Sequence, residues 1–255
     1  MNEKNSIITG ARSGIGYATL RTFSQHGINT WALVHRITPE FQNEIELLQK
    51  ENGVWIIPIL VEMDNSESIK NAFSKIKKTK KNIDILVNSA GVVSPNRLFT
   101  MTKMSDIRHL FEVNFFGLIE LTQLVARTMI FQKEGSIINI SSIAAWGEDT
   151  SQLEYAASKS AIITLTKKLA RELGPFGIRV NSIAPGLTET NMSKELDDVS
   201  KTRYLEGHPE SRLAKPEEIA EVIFFLASSQ SRFINGETIK VDGGGYDLRK
   251  ALSKR

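Results

Sequence analysis

The sequence predicts an α/β protein built on a doubly wound, parallel, seven-stranded sheet with helices on both faces. Three observations carry this expectation. Short β-branched runs alternate with longer amphipathic stretches along the whole chain of 255 residues, the pattern of βαβ units. The runs are continuously apolar rather than alternating, as in strands covered on both sides and therefore parallel. A glycine-rich turn follows the first run and opens the first helix, where doubly wound sheets bind ligands.

The elements follow in order. "NSIIT" (5–9) is the first strand, and after the glycine turn a helix runs to about His26. "NTWALV" (29–34) is the second strand. "PEFQNEIELLQKE" (39–51) is helical, with proline and acids at its start and lysine near its end. "VWIIPILV" (54–61) is the third strand and "SESIKNAFSKIKK" the helix behind it. "IDILVN" (83–88) is the fourth strand, followed by one long helical region over roughly 102–131. "SIINIS" (136–141), "IRVNSIA" (178–184) and "ETIKV" (237–241) supply three more strands, separated by helices over about 154–173 and 216–227. There is no linker, repeat or low-complexity segment, so residues 1–255 are expected to form a single domain. The long irregular stretch at about 186–215 is expected to face substrate, since loops of that length in compact domains are usually functional.

Composition narrows the function. Hydrophobic residues make up 41% and charged residues 24%, as in a packed globule. No apolar run approaches the ~20 residues that cross a bilayer, and the N-terminus has no signal-peptide pattern. A cytoplasmic protein is expected. The absence of cysteine excludes disulfides, thiolate zinc sites and cysteine nucleophiles. The four histidines have no ligand spacing, so no metal is expected. Net charge is only +3. "KIKKTKK" (75–81) and the tail "LRKALSKR" read as solvated lysine and arginine, and no nucleic-acid reader motif accompanies them.

"TGARSGIG" (9–16) places Gly10, Gly14 and Gly16 between the first strand and first helix. Glycine lets the backbone turn sharply and approach a phosphate without a Cβ in the way. The helix N-terminus behind it offers free N–H groups and the positive end of a dipole.

With "NSAG" (88–91), "YAASK" (155–159), "PG" (185–186) and "VDGG" (241–244), this turn resembles the short-chain dehydrogenase/reductases, whose motifs occur in this order. "INISSIAAW", "KLAREL", "GIRVNSIAPG" and "KPEEIAEVIFFLAS" extend the likeness over residues 5 to 246, and resemble in particular the subfamily that includes 3-oxoacyl-[acyl-carrier-protein] reductases. The resemblance implies a Rossmann-type fold and a four-residue site of Asn114, Ser142, Tyr155 and Lys159.

Each of these can be argued chemically. Tyr155 and Lys159 are four apart on a helix and share a face, with Cβ atoms ~6 Å apart. An ammonium nearby favours the phenolate, which lowers a tyrosine pKa from ~10. Tyr155 is then expected to exchange a proton with a carbonyl or alcohol oxygen. Ser142, at the end of the fifth strand, is expected to hydrogen-bond that oxygen; the spacing to Tyr155 selects it over Ser141. The resemblance gives Asn114 a water-mediated link to Lys159, and gives Lys159 the nicotinamide ribose.

The resemblance also assigns the cofactor site. Gly10, Arg12, Ser13, Gly14, Ile15 and Gly16 form the phosphate turn. Asn88, Ala90 and Gly91 shape the end of the fourth strand, with Ser89 where the family usually has asparagine. Pro185, Gly186, Thr188 and Thr190 match the family's "PGxxxT" segment, which orients the nicotinamide and reaches the phosphates. Glu62, with Asp64 as the alternative alignment, stands where an acid meets the adenine.

The end of the second strand decides between cofactors. An acid there binds the ribose 2′-hydroxyl of NAD, and an arginine accommodates the 2′-phosphate of NADP. Here His35 and Arg36 hold the position, with no carboxylate before Glu40, and Arg12 lies in the turn. NADP(H) is the expected cofactor.

The reading is an NADP(H)-dependent oxidoreductase that interconverts a ketone and a secondary alcohol. A 3-oxoacyl thioester on acyl carrier protein is the leading substrate expectation. Lys133 fits such docking, whereas Phe176 stands where those reductases often have arginine. A sugar, sugar-nucleotide or other small alcohol is the alternative substrate, and a non-catalytic dinucleotide-binding sensor is the alternative from another class. The resemblance implies a homotetramer.

Overall fold

A computed structural model describes residues 3–147, 152–194, 202, 205–206 and 208–245. The basic tail and residues 195–201, 203–204 and 207 of the expected substrate segment lie outside the described residues. Seven strands form: β1 (Asn5–Thr9), β2 (Asn29–Val34), β3 (Ile56–Leu60), β4 (Ile85–Asn88), β5 (Gly135–Ile140), β6 (Ile178–Pro185) and β7 (Thr238–Val241). All pair in parallel in the order β3-β2-β1-β4-β5-β6-β7. The chain winds outward from β1 to β3, then returns to β4 and winds the other way. The direction reverses between β1 and β4, which opens a crevice above their carboxyl ends.

The connecting helices are α1 (Gly14–Gln25), α2 (Pro39–Asn52), α3 (Ser66–Lys78), α4 (Met104–Phe111), α5 (Gly117–Gln132), α6 (Leu153–Leu173), the single turn α7 (Asn191–Lys194) and α8 (Pro216–Ala227). Two cores form because successive strand residues point to opposite faces. Ile7, Leu33, Leu86, Ile137 and Val180 pack against Ile69, Val125 and Leu173 of α3, α5 and α6. Their neighbours Ile8, Ala32, Val87, Ile138 and Ile183 pack against Phe23, Ile45 and Ile223 of α1, α2 and α8. Each buried Ile, Leu, Val or Phe among them contributes about 1.5–3 kcal/mol. The outermost strand β3 carries Pro58 in its interior, in keeping with the missing N–H being tolerable at an edge, and Pro185 closes the last position of β6.

One element departs from expectation. The helical region after β4 is not continuous: α4 ends at Phe111, residues Glu112–Phe116 form a π-helical turn, and α5 begins at Gly117. A π turn holds one extra residue. The close approach that fixes it is at Gly117, where a Cβ would lie 1.9 Å from the Met63 carbonyl oxygen. Asn114 is the buried residue of this turn.

Candidate active site

The glycine turn lies at the reversal of strand order. Gly10 and Gly14 take positive φ (67° and 54°), conformations costly for other residues. A Cβ on Gly16 would lie 2.3 Å from the Gly10 carbonyl oxygen, and one on Gly10 would press on Ala90 at 3.0 Å. The turn is therefore folded tightly on itself and on the end of β4. The β4 end is held by Thr9, whose Oγ1 accepts from the Ser89 and Ala90 N–H groups (3.0 and 2.9 Å). Asn88 turns inward, and its Nδ2 donates to Asn139 Oδ1 at 2.8 Å and to Thr122 Oγ1 at 3.0 Å. Its side chain ties β4 to β5 and α5, so Asn88 shapes the crevice from beneath.

Ser13 precedes α1 without a side-chain cap bond, and Ile15 packs at the edge of the core. The Ala11 N–H donates to the Leu33 carbonyl (3.3 Å), which joins the turn to the end of β2. Arg12 Nε is buried with no partner among the described residues. Arg36 is exposed just past β2. Glu40 is engaged elsewhere: its carboxylate takes hydrogen bonds from its own N–H and from Thr38, which hold its pKa below the ordinary value. Glu62 is exposed directly after β3, and its N–H donates to Ser68 Oγ (2.9 Å). Asp64 instead faces His109 at 3.5 Å.

The other wall comes from the end of β6. Gly186 N–H donates to the Val241 carbonyl (2.9 Å), fixing the turn after Pro185. Thr188 is buried and donates to the Gly186 carbonyl (3.0 Å). The Thr190 methyl lies 3.1 Å from where a Cβ on Gly14 would begin, so this segment borders the phosphate turn.

The remaining residues converge between these walls. Ser142 follows β5 and Tyr155 and Lys159 come from the first turns of α6. The Ser142 hydroxyl hydrogen-bonds the Tyr155 phenol. Lys159 is buried, its Nζ donates to the Ile140 carbonyl (3.0 Å), and it lies 5.6 Å from the centre of the Tyr155 ring. Asn114 Oδ1 accepts from the Val92 N–H (2.8 Å), and its Nδ2 donates to the Val92 carbonyl (2.9 Å). Asn114 and Lys159 meet at Gly91, where a Cβ would be 3.2 Å from Asn114 Oδ1 and 3.6 Å from Lys159 Nζ. Ser141, by contrast, is buried and donates to the Lys159 carbonyl (2.9 Å), a structural role.

Burial lowers Lys159 to about 8. Tyr155 differs from the expectation. Burial raises its pKa, and the opposing pull comes from the Ser142 hydrogen bond. The reason is geometric: one ammonium N–H goes to the Ile140 carbonyl, and the ammonium lies over the ring, 5.6 Å from its centre, rather than on the phenol oxygen.

Two contributors escaped the sequence reading. Thr9 lay inside the quoted glycine motif as a strand-end residue. Ser158, inside "YAASK", donates to the Tyr155 carbonyl (2.8 Å) and accepts from Asn114 Nδ2 (3.4 Å). Nothing but their position within the motifs marks them.

The fold and this convergence define the class of dinucleotide oxidoreductases that carry serine, tyrosine and lysine at the carboxyl ends of a doubly wound sheet. The chain belongs to the short-chain dehydrogenase/reductase family. The family model described as Enoyl-(Acyl carrier protein) reductase matches residues 10–246. The chain is 38% identical over 243 residues to the 3-oxoacyl-[acyl-carrier-protein] reductase FabG of Thermotoga maritima, covering 94% of this chain and 97% of that protein. The crystal structure of 3-oxoacyl-[acyl-carrier protein] reductase from Brucella melitensis superposes with a TM-score of 0.87 at 30% identity, covering 96% of this chain and 92% of that one. A second Brucella melitensis reductase, described with bound NAD, gives 0.86 at 29% identity, covering 96% of this chain and 92% of that one. The protein is thus an oxidoreductase that interconverts a ketone and an alcohol with a nicotinamide dinucleotide. Among the described residues no helix is long and apolar enough to cross a membrane.

Proposed function

We propose that the protein is an NADP(H)-dependent 3-oxoacyl-thioester reductase in which Tyr155 is the acid and base. The observation that carries this is the Ser142–Tyr155–Lys159 convergence beside a glycine turn too tight for side chains. The nicotinamide, when bound, supplies hydride to the substrate carbon. Ser142 donates a hydrogen bond to the substrate oxygen as charge develops there. Tyr155, whose pKa burial holds above its ordinary value, gives its proton to the same oxygen. Lys159 balances the phenolate left behind and holds the ribose. Asn114, meeting Lys159 at Gly91, connects that ammonium to the proton path.

The residues fit the cofactor. The glycine turn opens directly onto the N-terminus of α1, a position suited to phosphates, and the orphaned Arg12 Nε is a donor without an acceptor. Arg36 and Arg12 flank the end of β2, while Glu40 is occupied by its own helix N-terminus. A guanidinium–phosphate contact contributes about 1.5–3 kcal/mol, or roughly 10- to 150-fold in affinity. The Brucella relative described with NAD is the reason to test both cofactors.

The substrate reading follows the relatives. Acyl carrier protein as the acyl donor is supported by their names and by Lys133 at the amino-terminal end of β5. Its neighbour at the start of β6 is Phe176, an apolar surface in place of a second cation. Gly177, the residue after Phe176, lies tight against Lys133: a Cβ there would be 2.4 Å from the Lys133 carbonyl oxygen. A single cytoplasmic domain assembled as a homotetramer completes the proposal. Exposed Phe116 and Phe131 on the helices after β4, and Phe233 before β7, fit such contacts.

The test is NADPH consumption with acetoacetyl and crotonyl thioesters, free and carrier-bound, beside simple ketones and sugars. Turnover of acetoacetyl thioester supports the reading; turnover of crotonyl thioester alone, or of no carbonyl, removes it. Arg36→Ala is expected to weaken NADPH use at least 10-fold with NADH use little changed. Equal losses for both cofactors would reject the NADP assignment.

A further inference from the structure

The segment that leaves β6 at Gly186 returns to α8 at Lys215, and its two described arms are joined. Ala214 N–H donates to the Leu187 carbonyl (3.0 Å) and Glu189 N–H donates to the Ala214 carbonyl (2.9 Å). The outgoing arm is rooted on β7 through Gly186 and the Val241 carbonyl. It then passes the phosphate turn at Thr190. The returning arm carries His208, which is buried. Its Nε2 bonds the carbonyl of Asp242, the residue after Val241, and its Nδ1 accepts from the Glu210 N–H (3.2 Å). An accepting Nδ1 carries no proton, so the proton sits on Nε2 and is donated to the carbonyl. Gly243 leaves the room: with φ of 62°, a Cβ there would lie 2.7 Å from His208 Cε1.

We propose that His208 is a positioning residue for the reaction. Its neutral imidazole latches the returning arm to Asp242, so both arms hang from adjacent carbonyls at the end of β7. The latch holds Thr190 against the glycine turn, on the phosphate side of the site. The sheet does not depend on it, because β7 pairs with β6 from Thr238 to Val241 through its own backbone. The kinetic part of this inference rests on the reductase reading above; the conformational part stands without it.

The experiment compares His208→Val, His208→Gln and Gly243→Ala by hydrogen exchange and by steady-state kinetics. In His208→Val, peptides over 186–190 and 208–215 are expected to exchange on the order of 10-fold faster, with peptides from β1, β4 and β5 unchanged. The KM for NADPH is expected to rise on the order of 10-fold, with kcat within about threefold. His208→Gln keeps a donor where Nε2 stands and recovers most of both effects. Gly243→Ala displaces the ring and reproduces the valine variant with histidine still in place. Unchanged exchange in the valine variant, uniformly faster exchange through the sheet, or no recovery by glutamine overturns the proposal. Absence of turnover in the unmodified protein sinks the reductase reading and leaves the exchange result to decide the latch.

Discussion

Replacing Lys159 by methionine should abolish turnover and yet leave the protein more stable near neutral pH. Lys159 is buried, and burial moves it from 10.5 to about 8, which corresponds to about 3 kcal/mol against the charged form. Methionine has similar length and no charge to desolvate. The substitution also removes the hydrogen bond to the Ile140 carbonyl, and a buried acceptor left unpaired costs about 1–2 kcal/mol. The net gain is about 1–2 kcal/mol, or roughly 2–6 °C in Tm for a chain of this size. The pH dependence has a definite sign. Between about 8 and 10.5 the unfolded chain binds more protons at this lysine than the folded one, so the native protein gains stability as pH rises through that window. The advantage of Lys159→Met is therefore full below about 8 and fades as pH approaches 10.5. Calorimetry of the unliganded proteins at neutral pH and near pH 10 measures both terms. A lower Tm for the variant at neutral pH, or a difference that ignores pH, would refute the reasoning.

Two further substitutions test the scaffold. Gly117→Ala should destabilise by about 3 kcal/mol or more, since its Cβ would be 1.9 Å from the Met63 carbonyl oxygen; an unchanged urea midpoint contradicts this. Thr9→Val removes the acceptor of two N–H groups, Ser89 and Ala90. It should cost about 2–4 kcal/mol and weaken dinucleotide binding, read by thermal melts and fluorescence titration; normal affinity would show that the β4 end holds its shape without Thr9.

Much of the fold was legible because strand and helix lengths are written in hydrophobic periodicity. All seven strands, and the helices behind them, appear where apolar runs and caps placed them. Gly10, Gly14 and Gly16 were legible for a physical reason: a turn this close admits no Cβ. The break in the helix after β4 was not. A π turn has no hydrophobic period of its own, and "EVNFFG" reads as uninterrupted helix until Met63 is known to press on Gly117. The tyrosine's environment was also hidden. Four-residue spacing puts Tyr155 and Lys159 on one face, but it cannot show that the ammonium bonds Ile140 instead of the phenol. His208 was read as one of four scattered histidines; its partner carbonyl lies more than thirty residues away in sequence.

The π turn at Glu112–Phe116 constrains how this chain can diverge. Its extra residue is taken up inside the turn, so removing one residue there would restore an ordinary helix with α5 still presenting the same face. Leu121, Val125 and Met129 would stay in the interior, whereas Asn114 would lose the turn that sets it beside Gly91. A single-codon deletion in this stretch would therefore strike the chemistry while sparing the fold.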